Sequence, residues 1–163
     1  MAKNKEEKTN VMRVLEQKKI AYSAHTYPHE EGVAVDGVTV AQSMGFDPAI
    51  VFKTLVARGA SKQYYVFDVP VAENLDLKKA AKAVGEKSIE MIHQKELLPL
   101  TGYVHGGCSP VGMKKQFPTV FHSSAENLAA MIVSAGKIGY QVELAPHDLA
   151  ALVRAKFADI IVE

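Results

Sequence analysis

Between Gly102 and Gly112 the chain reads Gly-Tyr-Val-His-Gly-Gly-Cys-Ser-Pro-Val-Gly, four glycines and one proline in eleven residues. Glycine admits positive φ and lets another molecule come close to the main chain, and proline fixes one further dihedral. A rigid loop with few side chains and free N–H groups can hold a carbonyl or phosphate oxygen. A tight turn between strands would use the same residues. Lys53 is the second candidate, standing with Thr54 among Val51, Phe52, Leu55, Val56 and Ala57. Burying an ammonium is costly unless it reaches a cleft or a partner. If the strand is buried on both faces, Lys53 becomes a substrate-contacting cation; on an edge strand its stem would carry the charge to water. A third segment, Ser134-Ala135-Gly136-Lys137-Ile138-Gly139, offers a hydroxyl, flexible backbone and a cation between two predicted strands. That suits an anion- or ribose-holding turn, and equally a glycine-rich hairpin. It lacks the glycine spacing and the Gly-Lys-Ser/Thr ending of a Walker A loop.

Residue types offer two other chemistries. His25 and His29 are four apart and His105 precedes Cys108 by three, a conceivable zinc set. Pro28 interrupts the first pair, and no second cysteine exists. Cys108 with His105 or His122 would form a thiol and base, but no third group that orients the base is identifiable. Neither a metal nor a cofactor is expected. Lys78, Lys79, Lys82, Lys87, Lys114 and Lys115 read as solvated faces that would also suit the end of a nucleic acid.

The elements that must position these residues follow from the pattern. A chain of 163 residues with 48% hydrophobic and 23% charged composition is long and apolar enough for one buried core. A formal charge of +1 is too small for a protein that grips a long polynucleotide unaided, so any nucleic-acid contact should be confined to an end. The single cysteine fits a reducing compartment, no run approaches a membrane span, and the charged N-terminus has no apolar core of a leader after it, so a cytoplasmic location is expected.

Val11, Met12, Leu15 and Ile20 after Thr9-Asn10 predict an amphipathic helix. Residues 21–27 read as extended, and residues 38–44 as a helix stopped by Gly45. Residues 51–58 and 64–71 bracket Gly59-Ala60-Ser61 as a hairpin. Asp76 and Gly85 frame another helix. Further strands are expected near residues 89–92, 103, 119–122, 131–133, 140–144 and 159–162, with helices at 94–98 and after Pro146. This is a mixed α/β (α+β) single domain over residues 1–163, with a curved, barrel-like mixed sheet and short surrounding helices.

Four segments in register carry a resemblance: Val-Phe-Lys-Thr-Leu at 51–55, Leu-Lys-Lys-Ala at 77–80, Gly-Gly-Cys-Ser-Pro-Val-Gly at 106–112 and Val-Ser-Ala-Gly-Lys at 133–137. Together they resemble the bacterial prolyl-tRNA editing family of YbaK/EbsC-type Cys-tRNA(Pro) deacylases, from His25-Thr26-Tyr27 to Asp159-Ile160-Ile161. The resemblance implies a trans-editing enzyme that removes cysteine from proline tRNA, with the tRNA acceptor end and prolyl-tRNA synthetase as partners and no membrane involved. It implies that Gly106, Gly107, Ser109 and Pro110 form the loop holding the aminoacyl carbonyl, and that Lys53 positions the terminal nucleotide. Tyr27, Thr54 and Ser134 would line the pocket. Cys108 falls on an unspecified position of the loop motif, and Ile138 stands where relatives often carry Arg. The implied reaction uses the substrate's own thiol to attack the ester, so the protein needs only to orient it and stabilise the oxyanion. Rival readings are a relative that clears Ala-tRNA(Pro) with water, a module that binds aminoacyl-tRNA or synthetase without chemistry, and a metal- or Cys/His-dependent hydrolase.

Overall fold

Thr9 opens the first helix. Its hydroxyl accepts the Met12 N–H at 3.3 Å, and Val11, Met12 and Leu15 bury one face of α1 (Asn10–Gln17). The computed structural model describes residues 8–163, so the opening charged residues, where no leader is expected, lie outside the described residues. Asp76 caps its helix as expected from the sequence, and Asp36, which was not singled out there, caps another. Asp36 accepts the Thr39 N–H before α2 (Gly37–Met44), and Asp76 accepts the Lys78 and Lys79 N–H groups before α3 (Leu77–Val84). These carboxylates satisfy amides that the first turn leaves without partners.

Two sheets carry the fold. The first has the order β1-β7-β6, all antiparallel, from β1 (Ser23–Thr26), β6 (Met131–Ser134) and β7 (Tyr140–Leu144). The second has the order β4-β2-β3-β5-β8. In it β2 (Phe52–Gly59) and β3 (Tyr64–Pro70) form the expected hairpin, and β4 (Ile89–Met91) pairs antiparallel with the far end of β2. β5 (Thr119–His122) and β8 (Ala155–Ala158) add in parallel. Among the described residues one bridge, Val51 to Ile132, joins the two sheets, so the strands are split between two sheets rather than closed into a barrel.

The main core lies between the sheets, where Val11, Leu15, Phe52, Phe121, Met131 and Val142 meet Leu149 of α5 (Pro146–Val153). A second core packs Ala80 and Ala81 of α3 onto Ala57, Phe67, Val69 and Ile160.

Three expectations are corrected. No strand forms at Tyr103; its hydroxyl instead donates to the Val111 carbonyl and ties down the glycine loop. The closing strand lies at Ala155–Ala158, because Arg154 ends α5 at φ 59° and turns the chain directly onto β5, leaving Ile161 a lone bridge to Leu75. The fourth helix, α4 (Gln94–Thr101), runs past Leu98 with Pro99 inside it.

Candidate functional site

The alternation of β2 explains where the site sits. Val51 O accepts the Val71 N–H and Gly59 N donates to Gln63 O, both at 2.8 Å, so odd-numbered residues of β2 turn their main chain toward β3. Even-numbered residues turn away from it. At one end of that outer edge Val56 O accepts the Ile92 N–H at 3.4 Å beside β4; at the other the Val51–Ile132 bridge brings in β6. Between these junctions the outward main chain of Thr54 meets no strand. A cavity of about 340 Å³ opens there.

The cavity draws its walls from distant segments. Lys53 and Thr54 come from β2, Tyr27 from the end of β1, Asp36 from the cap of α2, Gly106 and Cys108 from the glycine loop, and Ser134 and Gln141 from β6 and β7. The open edge is why both Lys53 and Thr54 reach the cavity although they alternate in facing. The strand is buried on both faces at Val51, Phe52, Val56 and Ala57, as expected, and only Lys53, Thr54 and Leu55 between them are half-buried, where the cavity opens. Of the remaining residues that the resemblance implied, Gly107, Ser109 and Pro110 are buried behind the wall and do not line it. Ser109 uses its hydroxyl inside the loop, accepting the Val111 N–H at 3.3 Å.

Gly106 is held at φ +91°, and a β-carbon on it would stand 2.7 Å from Ala34 Cβ. Gly107 packs against main chain: a β-carbon would come within 3.1 Å of Ile138 N. The two glycine-rich segments singled out in the sequence therefore lie against each other. Ser134 accepts the Gly136 N–H at 3.0 Å, which shapes the second segment.

The electrostatics of the wall are uneven. Burial pulls the Lys53 ammonium below its ordinary pKa, while Asp36 and Glu73 oppose the fall. Among the described residues that ammonium has no hydrogen-bonded or ion-paired partner. Burial pushes the Cys108 thiol up to about 12, with the nearby Asp68 charge adding to the rise. A thiol so perturbed is a poor nucleophile at neutral pH, because the thiolate is the reactive form.

Asp68 was not singled out in the sequence, although an acidic residue within Tyr-Tyr-Val-Phe-Asp-Val-Pro breaks an apolar run as plainly as Lys53 does. It is fully buried, and its Oδ1 lies 2.5 Å from Thr54 Oγ1. Gln141 was missed as well; its Oε1 is buried without a hydrogen-bond partner among the described residues.

Of the histidines considered for other chemistry, His105 lines the cavity beside Cys108, while His25 and His29 are bonded elsewhere. His25 Nε2 meets Glu143 Oε1 at 2.7 Å, and His29 Nδ1 meets the Tyr27 carbonyl at 2.9 Å. No group of three His, Cys, Asp or Glu suited to a metal occurs among the described residues. Lys79, read as a solvated face, instead anchors the C-terminal segment through Asp159 at 3.1 Å, Glu163 at 3.3 Å and the Ile161 carbonyl at 2.9 Å. No helix among the described residues is long and apolar enough to cross a membrane.

Comparison with known proteins adds to this geometry. The model of the aminoacyl-tRNA editing domain matches residues 32–152. A protein of Enterococcus faecalis named as a candidate Cys-tRNA(Pro)/Cys-tRNA(Cys) deacylase, EbsC, is 47% identical over 161 residues, covering 98% of each chain. A solved structure described as a candidate trans-editing enzyme for prolyl tRNA synthetase is 25% identical, with a TM-score of 0.79, over 94% of this chain and 95% of that one. A scaffold used for computational epitope grafting, also 25% identical, has a TM-score of 0.81 over the same shares. The matched span holds Lys53, the glycine loop and Ser134 together, and the chain belongs to the aminoacyl-tRNA editing domain family.

Proposed function

We propose that this chain is a trans-editing aminoacyl-tRNA deacylase, a single editing domain over its whole length, that clears cysteine from proline tRNA. The observation that carries the reading is the cavity at the open edge of β2, lined by an unpaired Lys53 ammonium and the Gly106 main chain at positive φ, in a family that edits aminoacyl-tRNA. At about 340 Å³ the cavity lies near the lower end of the roughly 300–1,000 Å³ typical of small-molecule sites. That is room for an amino acid and part of the nucleoside bearing it.

The reaction we assign uses the substrate's thiol. The cysteinyl sulfur attacks its own carbonyl carbon, the ribose oxygen leaves with the thiol proton, and a cyclic thioester and free tRNA result. The protein orients the thiol and stabilises the oxyanion by main-chain and charged groups. Support comes from Cys108, which burial keeps protonated and which therefore does not compete as the nucleophile. Lys53 would position the terminal nucleotide or neutralise its phosphate, Gly106 would admit the carbonyl, and Tyr27, Thr54 and Ser134 would frame the aminoacyl group.

Such a site sees a cysteinyl ester and little of the tRNA body. The name of EbsC, which couples Cys-tRNA(Pro) with Cys-tRNA(Cys), fits that reach. Preference for proline tRNA would then be lent by prolyl-tRNA synthetase. The test is deacylation of cysteinyl- and alanyl-tRNA(Pro) and of cysteinyl-tRNA(Cys), with and without synthetase. Cleavage of both cysteinyl esters alone, and of the proline species preferentially with synthetase, is expected. Equal cleavage of the alanyl ester overturns the thiol mechanism. Discrimination between the two cysteinyl-tRNAs by the isolated protein overturns the partner role.

A further inference from the structure

Thr54 faces two ways. It lines the cavity, and its Oγ1 is hydrogen-bonded to Asp68 Oδ1 across the β2–β3 ladder, where the two residues are register partners. Asp68 has no exposed surface, and its Oδ2 has no hydrogen-bond partner among the described residues. The groups around this carboxyl leave Thr54 as its one hydrogen-bonded contact. From β5 the register partner is Phe121, and from the glycine loop comes the Cys108 thiol, which remains protonated. Lys53 on β2 and His122 on β5 belong to the opposite face of the sheet, and no ion pair reaches Asp68 among the described residues.

A hydroxyl between a carboxyl and a cavity has two arrangements. An ionised carboxylate only accepts, so Thr54 must donate to Asp68 and shows the cavity its lone pairs. A protonated carboxyl can donate to Thr54 Oγ1, which frees the threonine hydrogen to point at a bound carbonyl oxygen. We propose that Asp68 is a positioning residue for this site: through its hydrogen bond it decides whether the Thr54 hydroxyl meets the bound ester as a donor or as an acceptor. Burial pushes the carboxyl up to about 7, so both arrangements are populated near neutral pH. The readout rests on the deacylase reading; the Asp68–Thr54 coupling does not.

The experiment measures kcat from pH 5.5 to 8.5 on one cysteinyl-tRNA, for wild type, Asp68→Asn, Thr54→Ser, Thr54→Val and Asp68→Asn in each Thr54 background. Ratios at each pH cancel the substrate's own titrations. The ratio of wild type to Asp68→Asn should change about fivefold or more through a step near pH 7, the worth of one hydrogen bond. Thr54→Ser should keep the step and Thr54→Val should lose it. A flat ratio, or a step that survives in Thr54→Val, overturns the proposal. Should wild type cleave no ester, the deacylase reading fails, and the carboxyl carbon resonance of Asp68 takes over as the readout. The same measurement decides if Asp68→Asn does not fold. Its titration midpoint should rise in Thr54→Val, because the threonine hydrogen bond lowers it. An unmoved midpoint breaks the coupling and overturns the proposal.

Discussion

Gly106 and Ala34 stand so close that a β-carbon on the glycine would lie 2.7 Å from the alanine Cβ and 3.1 Å from its Cα. The glycine loop is thus seated on the segment that leads to Asp36, and both segments line the cavity.

Gly106→Ala should lower both stability and activity. It forces an L-residue to φ +91° and overlaps Ala34. These effects together cost on the order of 2–4 kcal/mol, with deacylation down at least about tenfold. Adding Ala34→Gly removes the closer contact, leaving the 3.1 Å approach to the Cα of residue 34, and should restore part of the melting temperature. If the double variant melts no higher than the single one, the steric account is wrong.

Lys53→Met should separate stability from activity. The folded state holds Lys53 below its ordinary pKa, so it binds this proton less tightly than the unfolded chain does. Its charge therefore opposes folding at neutral pH, an effect that fades as pH rises toward the ordinary lysine value. The variant should melt at the wild-type temperature or higher while losing at least about tenfold in rate, the worth of one charged contact to substrate. Thermal melts beside single-turnover kinetics decide it, and unchanged turnover places the chemistry elsewhere.

Cys108→Ala should leave kcat within about twofold and cost about 1 kcal/mol, since the thiol packs among Val56, Val66, Met113 and Phe117. A thiol-specific reagent should modify the native protein far more slowly than the denatured one. Loss of activity in a folded variant would restore the nucleophile reading.

Asp68 gives stability its own pH dependence. Its carboxyl rises from 3.8 to about 7 on folding. Between those values the folded state keeps a proton that the unfolded state has lost, so stability is greatest below about pH 4, falls as pH rises to 7 and is level above. A shift of about three units amounts to on the order of 4 kcal/mol across that range. Asp68→Asn should flatten this component, which denaturant titrations at pH 5 and pH 8 would reveal. An equal slope in both proteins would assign the pH dependence to other groups.

Local chemistry was legible in the sequence. Thr9 and Asp76 are helix caps because a short polar side chain need only find amides two or three residues ahead. Lys53 and Gly106 were legible because each breaks the rule of its surroundings. Asp36 and Gln141 were not, since their places in the wall depend on β1, β6 and β7 coming together. The closing strand was misplaced for the same reason: residues 159–162 have the better strand pattern, but parallel pairing with β5 selects residues 155–158, and Ile160 is taken by the α3 core.

The Val51–Ile132 bridge also bears on how the site comes into being. It joins two sheets whose strands are far apart in the chain, and until it closes the cavity has only part of its wall. Contacts of such sequence separation form late, after much loop-closure entropy has been spent. Nascent or partly unfolded chains would hold β2 and the glycine loop without the wall contributed by β6 and β7, and would leave esters alone. Editing competence would therefore report complete folding, and any ligand that fits the cavity should act as a pharmacological chaperone, raising the melting temperature with its concentration.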